Sequence, residues 1–116
     1  LGAGLNLGWL AAPWLQGRRV AYWGDLDTWG LHMLATARHH LPYLQALLMD
    51  AATFSAHQHL AVAEPVHAPD SACGTLAPDE ATLCVHLRTQ QKGRLEQEFV
   101  PTNAVHRAVR AWVDGD

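Results

Sequence analysis

The chain has 116 residues, of which 49% are hydrophobic and 16% are charged, a composition typical of one compact domain with an ample core and not of a disordered segment. Gly, Pro, Arg or His interrupts every apolar run before it reaches the length of a membrane span. The net charge of -3 and the pI of about 6.2 argue against a domain that binds nucleic acid through its own charge. If the domain contacts DNA, a partner or another domain is expected to supply most of the electrostatic attraction.

The N-terminus and the two cysteines indicate a cytoplasmic domain. Residues 1–4 contain neither Met nor a basic region, so we interpret them as the start of a domain within a longer protein and not as a signal peptide. Cys73 and Cys84 do not show CxxC spacing. They are predicted to be unpaired thiols, with a disulfide between them as the alternative.

The first half of the chain is predicted to alternate between helices and buried strands. Apolar spacing predicts a helix at 3–15, a strand at 20–24, a helix from about 29 to 40 capped by Asp27 or Thr28, and a strand at 44–49 that ends at Asp50. Both strands are apolar on both faces, which is typical of a buried parallel sheet.

The second half continues the alternation. The pattern predicts a short helix at 53–59, a short strand at 60–63, a surface loop at 64–77, a helix from Pro78, a half-exposed strand at 94–100 and a last helix capped by Asn103. Together the elements predict an α/β fold with a mainly parallel sheet flanked by helices.

Asp25 and Asp27 directly follow the first predicted strand, at the end where open α/β sheets bind ligands. Residues spaced by two lie on one side of a strand, about 6–7 Å apart, so both carboxylates can converge while Leu26 points into packing. Mg²⁺ is commonly held by one or two carboxylates plus water and phosphate. The structural alternative is that Asp27 caps the next helix and Asp25 is a turn residue, and the local pattern favours the two interpretations evenly.

Three further acids are candidates for supporting this site. Glu96 and Glu98 share a face if their segment is a strand, where they would join the metal site or form a solvated face balanced by Arg94. Asp50 would lie near the first pair if the two strands are neighbours, and otherwise it caps a helix.

The eight histidines do not show the spacing of zinc ligands. His39 and His40 diverge because they are adjacent, and His57 and His59 diverge on a predicted helix. Trp29, which closely follows the acid pair, is expected in the core or in the wall of the site.

Three segments then carry a family resemblance: Tyr22–Gly30, Leu47–Thr53 and Arg94–Glu98. In this order they resemble the C-terminal Toprim-like domain of JetD, the nuclease subunit of the Wadjet anti-plasmid system. The resemblance runs from about Gly4 to about Val109. It implies a Toprim fold, related to the A subunit of type IIB topoisomerases.

In such domains an Asp-x-Asp pair binds Mg²⁺, and a Glu at the end of an earlier strand completes the site. Asp25 and Asp27 match the pair, whereas the first strand with its Glu is expected upstream of Leu1. The family usually has His at the position of Trp29. The resemblance also implies DNA and an SMC-type complex as partners, and it leaves a homodimer open.

The leading hypothesis is therefore a Mg²⁺-dependent DNA endonuclease domain, with Mn²⁺ as an alternative ion. Tyr22 and Tyr43 lie in or beside predicted strands, so activated water is the expected nucleophile. One alternative is a phosphatase of the haloacid dehalogenase type, although Trp29 stands where that class has Thr or Val. Another is a non-catalytic interaction module in which the acids only cap helices.

Overall fold

The structure is a computed structural model that describes residues 18–69 and 76–115, so the helix predicted at 3–15 lies outside the described residues. The described elements form a mixed α/β fold, as the sequence predicts. In chain order they are β1 (Ala21–Tyr22), α1 (Thr28–His40), β2 (Gln45–Ala46), α2 (Ala51–Ala56), α3 (Pro78–Arg88) and α4 (Thr102–Asp114), with 3₁₀ turns at Gln58–Leu60 and Gln97–Phe99.

The two strands pair in parallel, as predicted, but each is only two residues long. Ala21 lies opposite Gln45 and Tyr22 lies opposite Ala46. The ladder ends before Leu48, whose φ of 58° is in the left-handed region and turns the chain away from the sheet. The carboxyl end of β1 therefore opens directly into the loop that carries the acid pair.

Helix α1 begins where the sequence places it. Asp27 is its N-cap and its side chain accepts a hydrogen bond from the Gly30 amide, while Leu31 and Leu34 are completely buried. The helix ends at His40, one residue before the Leu41-Pro42 step, because the residue before proline disfavours helical geometry.

Helix α3 packs against α1 and completes the core. Arg38 of α1 forms an ion pair with Glu80 of α3, and Leu83 and Leu87 of α3 are buried in the core. The larger buried apolar side chains share one continuous cluster: Leu26, Leu31, Leu34, Leu41, Leu44, Met49, Phe54, Leu83, Leu87 and Leu95. Within residues 18–69 and 76–115, no helix is long and apolar enough to span a membrane.

The strands predicted at 60–63 and 94–100 are wrong. Among residues 18–69 and 76–115, Val62 pairs with Arg94 and Leu26 pairs with Leu95, in two isolated antiparallel bridges. The chain then turns into a 3₁₀ helix because the Gln97 amide donates to a side chain instead of to a neighbouring strand. Period-two alternation alone did not reveal that this segment divides its hydrogen bonds between two partners.

Two smaller predictions also need correction. Helix α4 begins at Thr102 after Pro101, which is compatible with a helix start, so Asn103 lies inside the first turn and is not the cap. Cys84 is disulfide-bonded, so the predicted free thiol is wrong there, and Cys73 lies outside the described residues.

Candidate metal site

The acid pair lies in the loop between β1 and α1. Leu26, between the two acids, is 2% exposed and is held by reciprocal backbone hydrogen bonds with Leu95 of 2.9 and 3.1 Å. Because neighbouring residues in extended backbone point in opposite directions, anchoring Leu26 in the core turns Asp25 and Asp27 the other way. Both acids line the same cavity.

In each carboxylate, one oxygen accepts a backbone hydrogen bond that orients the group. Oδ1 of Asp25 accepts a hydrogen bond from the Gln97 amide at 2.9 Å, and Oδ1 of Asp27 accepts one from the Gly30 amide at 2.6 Å. The other two oxygens both face the guanidinium of Arg94. Oδ2 of Asp25 and Oδ2 of Asp27 each lie 3.4 Å from it. The loop thus presents two fixed carboxylate oxygens to one positive charge.

The supporting acids predicted from the sequence do not lie together. Oε1 of Glu96 lies 3.8 Å from Nε of Arg94, at the border of the site. Glu98 is exposed and does not line the cavity, because the segment turns into a 3₁₀ helix. Asp50 caps α2 by accepting a hydrogen bond from Thr53, and it lines a separate cavity of about 750 Å³ between α2 and α3.

The cavity beside the acid pair has a volume of about 310 Å³. Trp29 forms part of its wall and is 40% exposed, with its indole Nε1 donating to the Val66 carbonyl at 2.7 Å. The lining combines acids, one arginine and aromatic or apolar groups: Tyr22, Trp23, Gly24, Asp25, Asp27, Trp29, Gly30, Met33, Glu64, Pro65, Val66, Arg94 and Gln97.

Glu64 is a site residue that the sequence did not reveal. Its side chain is 3% exposed, and its carboxylate accepts hydrogen bonds from the Thr28 hydroxyl at 2.8 Å and from the Trp29 amide at 3.3 Å. It belongs to the region predicted as a surface loop, and no spacing pattern connects it with Asp27. Only the folding of this loop over the start of α1 brings the two acids together.

Burial and neighbouring charge alter the ionisation of two groups in the cavity. Burial raises the pKa of Asp27 from 3.8 to about 6, with further increases from Glu64 and Asp25, against the lowering effects of the Gly30 hydrogen bond and Arg94. Burial also raises the pKa of Tyr22 to about 12, aided by Asp27 and Asp25. Tyr22 therefore stays protonated at neutral pH.

The donor set suits a hard divalent cation that retains water or phosphate ligands. Within residues 18–69 and 76–115, no group of three or more His, Cys, Asp or Glu side chains is arranged to hold a metal ion. These residues do provide the two oxygens of Asp25 and Asp27 that already face a positive charge. Mg²⁺ characteristically uses one or two carboxylates and completes its coordination with water and phosphate.

Comparison with known protein families identifies the family of this chain. No curated protein matches this chain. The sequence profile of a family described as the Wadjet protein JetD, C-terminal, matches residues 1–109 and so covers nearly the whole chain. This match confirms the resemblance to the C-terminal domain of JetD, and the chain belongs to the JetD C-terminal family.

Proposed function

We propose that this chain provides the divalent-metal site of a DNA nuclease in the Wadjet anti-plasmid system, in a domain of the Toprim type. Asp25 and Asp27 are the proposed metal ligands, with Mg²⁺ as the ion and Mn²⁺ as a substitute. Membership of the JetD C-terminal family supports a role in that system. The observation that carries the metal site is the approach of both Oδ2 atoms to one positive charge.

Asp25 and Asp27 would hold the ion, which would supply Lewis-acid stabilisation of charge on the scissile phosphate. The Gln97 and Gly30 amides orient the two carboxylates, so little rearrangement of either acid is needed. Tyr22 is held protonated and donates its hydroxyl to the Gly30 carbonyl at 3.2 Å, which favours water as the nucleophile. A Glu from an earlier strand of the full-length protein is proposed to complete the site.

The acidic net charge of the chain bears on its proposed partners. A domain with a negative net charge gains little DNA affinity from electrostatic attraction to phosphate. We therefore propose that an SMC-type complex of the same system delivers circular DNA. A homodimer, which the family resemblance leaves open, would bring two acid pairs into one assembly. The cytoplasm is the proposed location because plasmid DNA is found there.

The test is plasmid cleavage by the full-length protein with its partner complex, with Mg²⁺, with Mn²⁺ and after chelation. Asp25→Asn and Asp27→Asn keep an oxygen that can accept the orienting amide hydrogen bonds but remove the charge that binds the ion. Each is expected to lower cleavage by about a hundredfold or more, as loss of a major electrostatic contribution to catalysis does. Asp50→Asn is the matched control, because Asp50 is exposed and lines the other cavity.

Cleavage retained by the Asp25→Asn plus Asp27→Asn double variant would refute the proposal. Turnover of a simple phosphate monoester that depends on Asp25 would instead support a phosphatase of the haloacid dehalogenase type. An interaction module predicts that neither Mg²⁺ nor Mn²⁺ changes the melting temperature of the full-length protein.

A further inference from the structure

Arg94 lies where the free oxygens of the acid pair meet, yet its contacts with them are long. Its Nη2 donates a long hydrogen bond of 3.4 Å to Oδ2 of Asp25, and its Nε lies 3.4 Å from Asp27 and 3.8 Å from Glu96. Charge-assisted hydrogen bonds between such groups are usually about 2.7–2.9 Å long. Nε is also buried without a hydrogen-bond partner among the described residues. The guanidinium is therefore attracted to the acids without being locked to them.

The main chain of Arg94 is fixed, in contrast to its side chain. Its amide and carbonyl form hydrogen bonds of 2.9 and 2.8 Å with the backbone of Val62, so its Cα is held beside the site. The side chain is 32% exposed and lines the cavity of about 310 Å³ together with Asp25 and Asp27. The cavity thus offers space beside the guanidinium, while hydrogen bonds hold the backbone of Arg94 in place.

A divalent cation bound by the two Oδ2 atoms would have to compete with this guanidinium. Both positive charges are attracted to the same two oxygens, and they repel each other. A guanidinium displaced within the cavity remains well suited to phosphate, since its planar fork of N–H donors matches phosphate oxygens.

We infer that Arg94 competes with the divalent cation for Asp25 and Asp27 and, when displaced, binds a phosphate oxygen of the DNA backbone. This inference rests on the proposed metal site. It assigns two linked effects to one side chain: Arg94 weakens binding of the ion alone and strengthens binding of the substrate. If Arg94 had only a structural role, its replacement would not both strengthen binding of the ion and weaken binding of the substrate.

The first measurement is Mn²⁺ binding to the full-length protein by calorimetry. Arg94→Gln is expected to bind Mn²⁺ about tenfold more tightly than the wild type, the lower end of the effect of one neighbouring charge. Arg94→Lys retains the positive charge but lacks the planar guanidinium, so its Mn²⁺ affinity should lie between those of the wild type and Arg94→Gln. Arg107→Gln is the matched control, because Arg107 is exposed on α4, and it should bind Mn²⁺ like the wild type.

The second measurement is plasmid cleavage at saturating Mn²⁺ with the partner complex. Arg94→Gln is expected to raise KM about tenfold, because a charged contact to phosphate is lost, and Arg94→Lys should recover part of this loss. Arg94→Met, which preserves most of the apolar stem, provides the same comparison if Arg94→Gln does not fold.

The outcomes separate the inference from the proposed function. Mn²⁺ affinity that is unchanged or weaker in folded Arg94→Gln or Arg94→Met would overturn the competition, and an unchanged KM would overturn the phosphate contact. If Asp25→Asn binds Mn²⁺ as tightly as the wild type, the metal site itself is refuted. Tighter Mn²⁺ binding together with a higher KM for plasmid DNA supports both effects assigned to Arg94.

Discussion

Replacing Gly30 by alanine tests whether α1 approaches the acid-bearing loop as closely as the structure shows. Gly30 is the third residue of α1, and on intrinsic helix propensity alone the change would stabilise the protein by about 1 kcal/mol. An added Cβ, however, would lie 1.8 Å from the Asp25 carbonyl oxygen and 3.2 Å from Oδ1 of Asp27. The closest atom is backbone, so the loop and the helix would have to separate.

The expected magnitude combines three contributions. Overpacking of this kind costs about 1–3 kcal/mol, and weakening the Asp27 cap costs about 1 kcal/mol more. The gain in helix propensity offsets about 1 kcal/mol. The free energy of unfolding should therefore fall by about 2 kcal/mol, which lowers the melting temperature of a domain of this size by about 10 °C.

Thermal and denaturant unfolding measure the loss of stability, and Mn²⁺ calorimetry measures the effect on the site. Ion affinity should fall as well, because the Gly30 amide orients the Asp27 carboxylate and the clash would displace the backbone of Asp25. Gly115→Ala is the control, because its added Cβ would lie 3.0 Å from the Ala111 carbonyl oxygen, a much smaller overlap than at Gly30, and because Gly115 is the C-cap of α4 and does not line the cavity. If Gly30→Ala equals or exceeds the wild type in stability, the close approach inferred from the structure is wrong.

Further predictions concern the other acids. Because folding raises the pKa of Asp27 from 3.8 to about 6, its contribution to stability is fully present below pH 3.8 and is lost as pH rises through about 6. The total change is about 3 kcal/mol, and denaturant unfolding across this window should show it in the wild type but not in Asp27→Asn. Glu64→Gln removes a neighbouring negative charge, so NMR titration should give a lower pKa for Asp27, and an unchanged value would contradict their coupling. Asp50→Ala should cost about 1 kcal/mol through loss of its cap while leaving Mn²⁺ affinity unchanged, and reduced affinity would place Asp50 in the site.

Local patterns in the sequence predicted the helices well because caps and apolar spacing act over a few residues. Asp27 capping α1 and Pro78 opening α3 are both visible in the sequence. Segments whose hydrogen bonds depend on distant partners were less predictable. Arg94 pairs with Val62 and its neighbour Leu95 pairs with Leu26, so an alternating pattern that resembled a strand became two single bridges.

The same distinction explains which parts of the candidate site the sequence revealed. The direction of Asp25 and Asp27 follows from local alternation around Leu26, which is buried as predicted. Glu64 reaches the site only because its loop folds back over the start of α1, where it accepts the Thr28 hydroxyl hydrogen bond. That contact joins residues far apart in the chain and leaves no periodic signal.

The structure also changes how the two interpretations of Asp27 relate to each other. From the sequence, a helix cap and a metal ligand were alternatives of even standing. In the structure Oδ1 is the cap, bonded to the Gly30 amide at 2.6 Å, while Oδ2 faces Arg94. The cap uses Oδ1 and leaves Oδ2 directed at Arg94, and the Gln97 amide has the same effect on Asp25. The cap therefore orients the proposed ligand instead of competing with it, and a bare N-cap assignment is no argument against a metal site here.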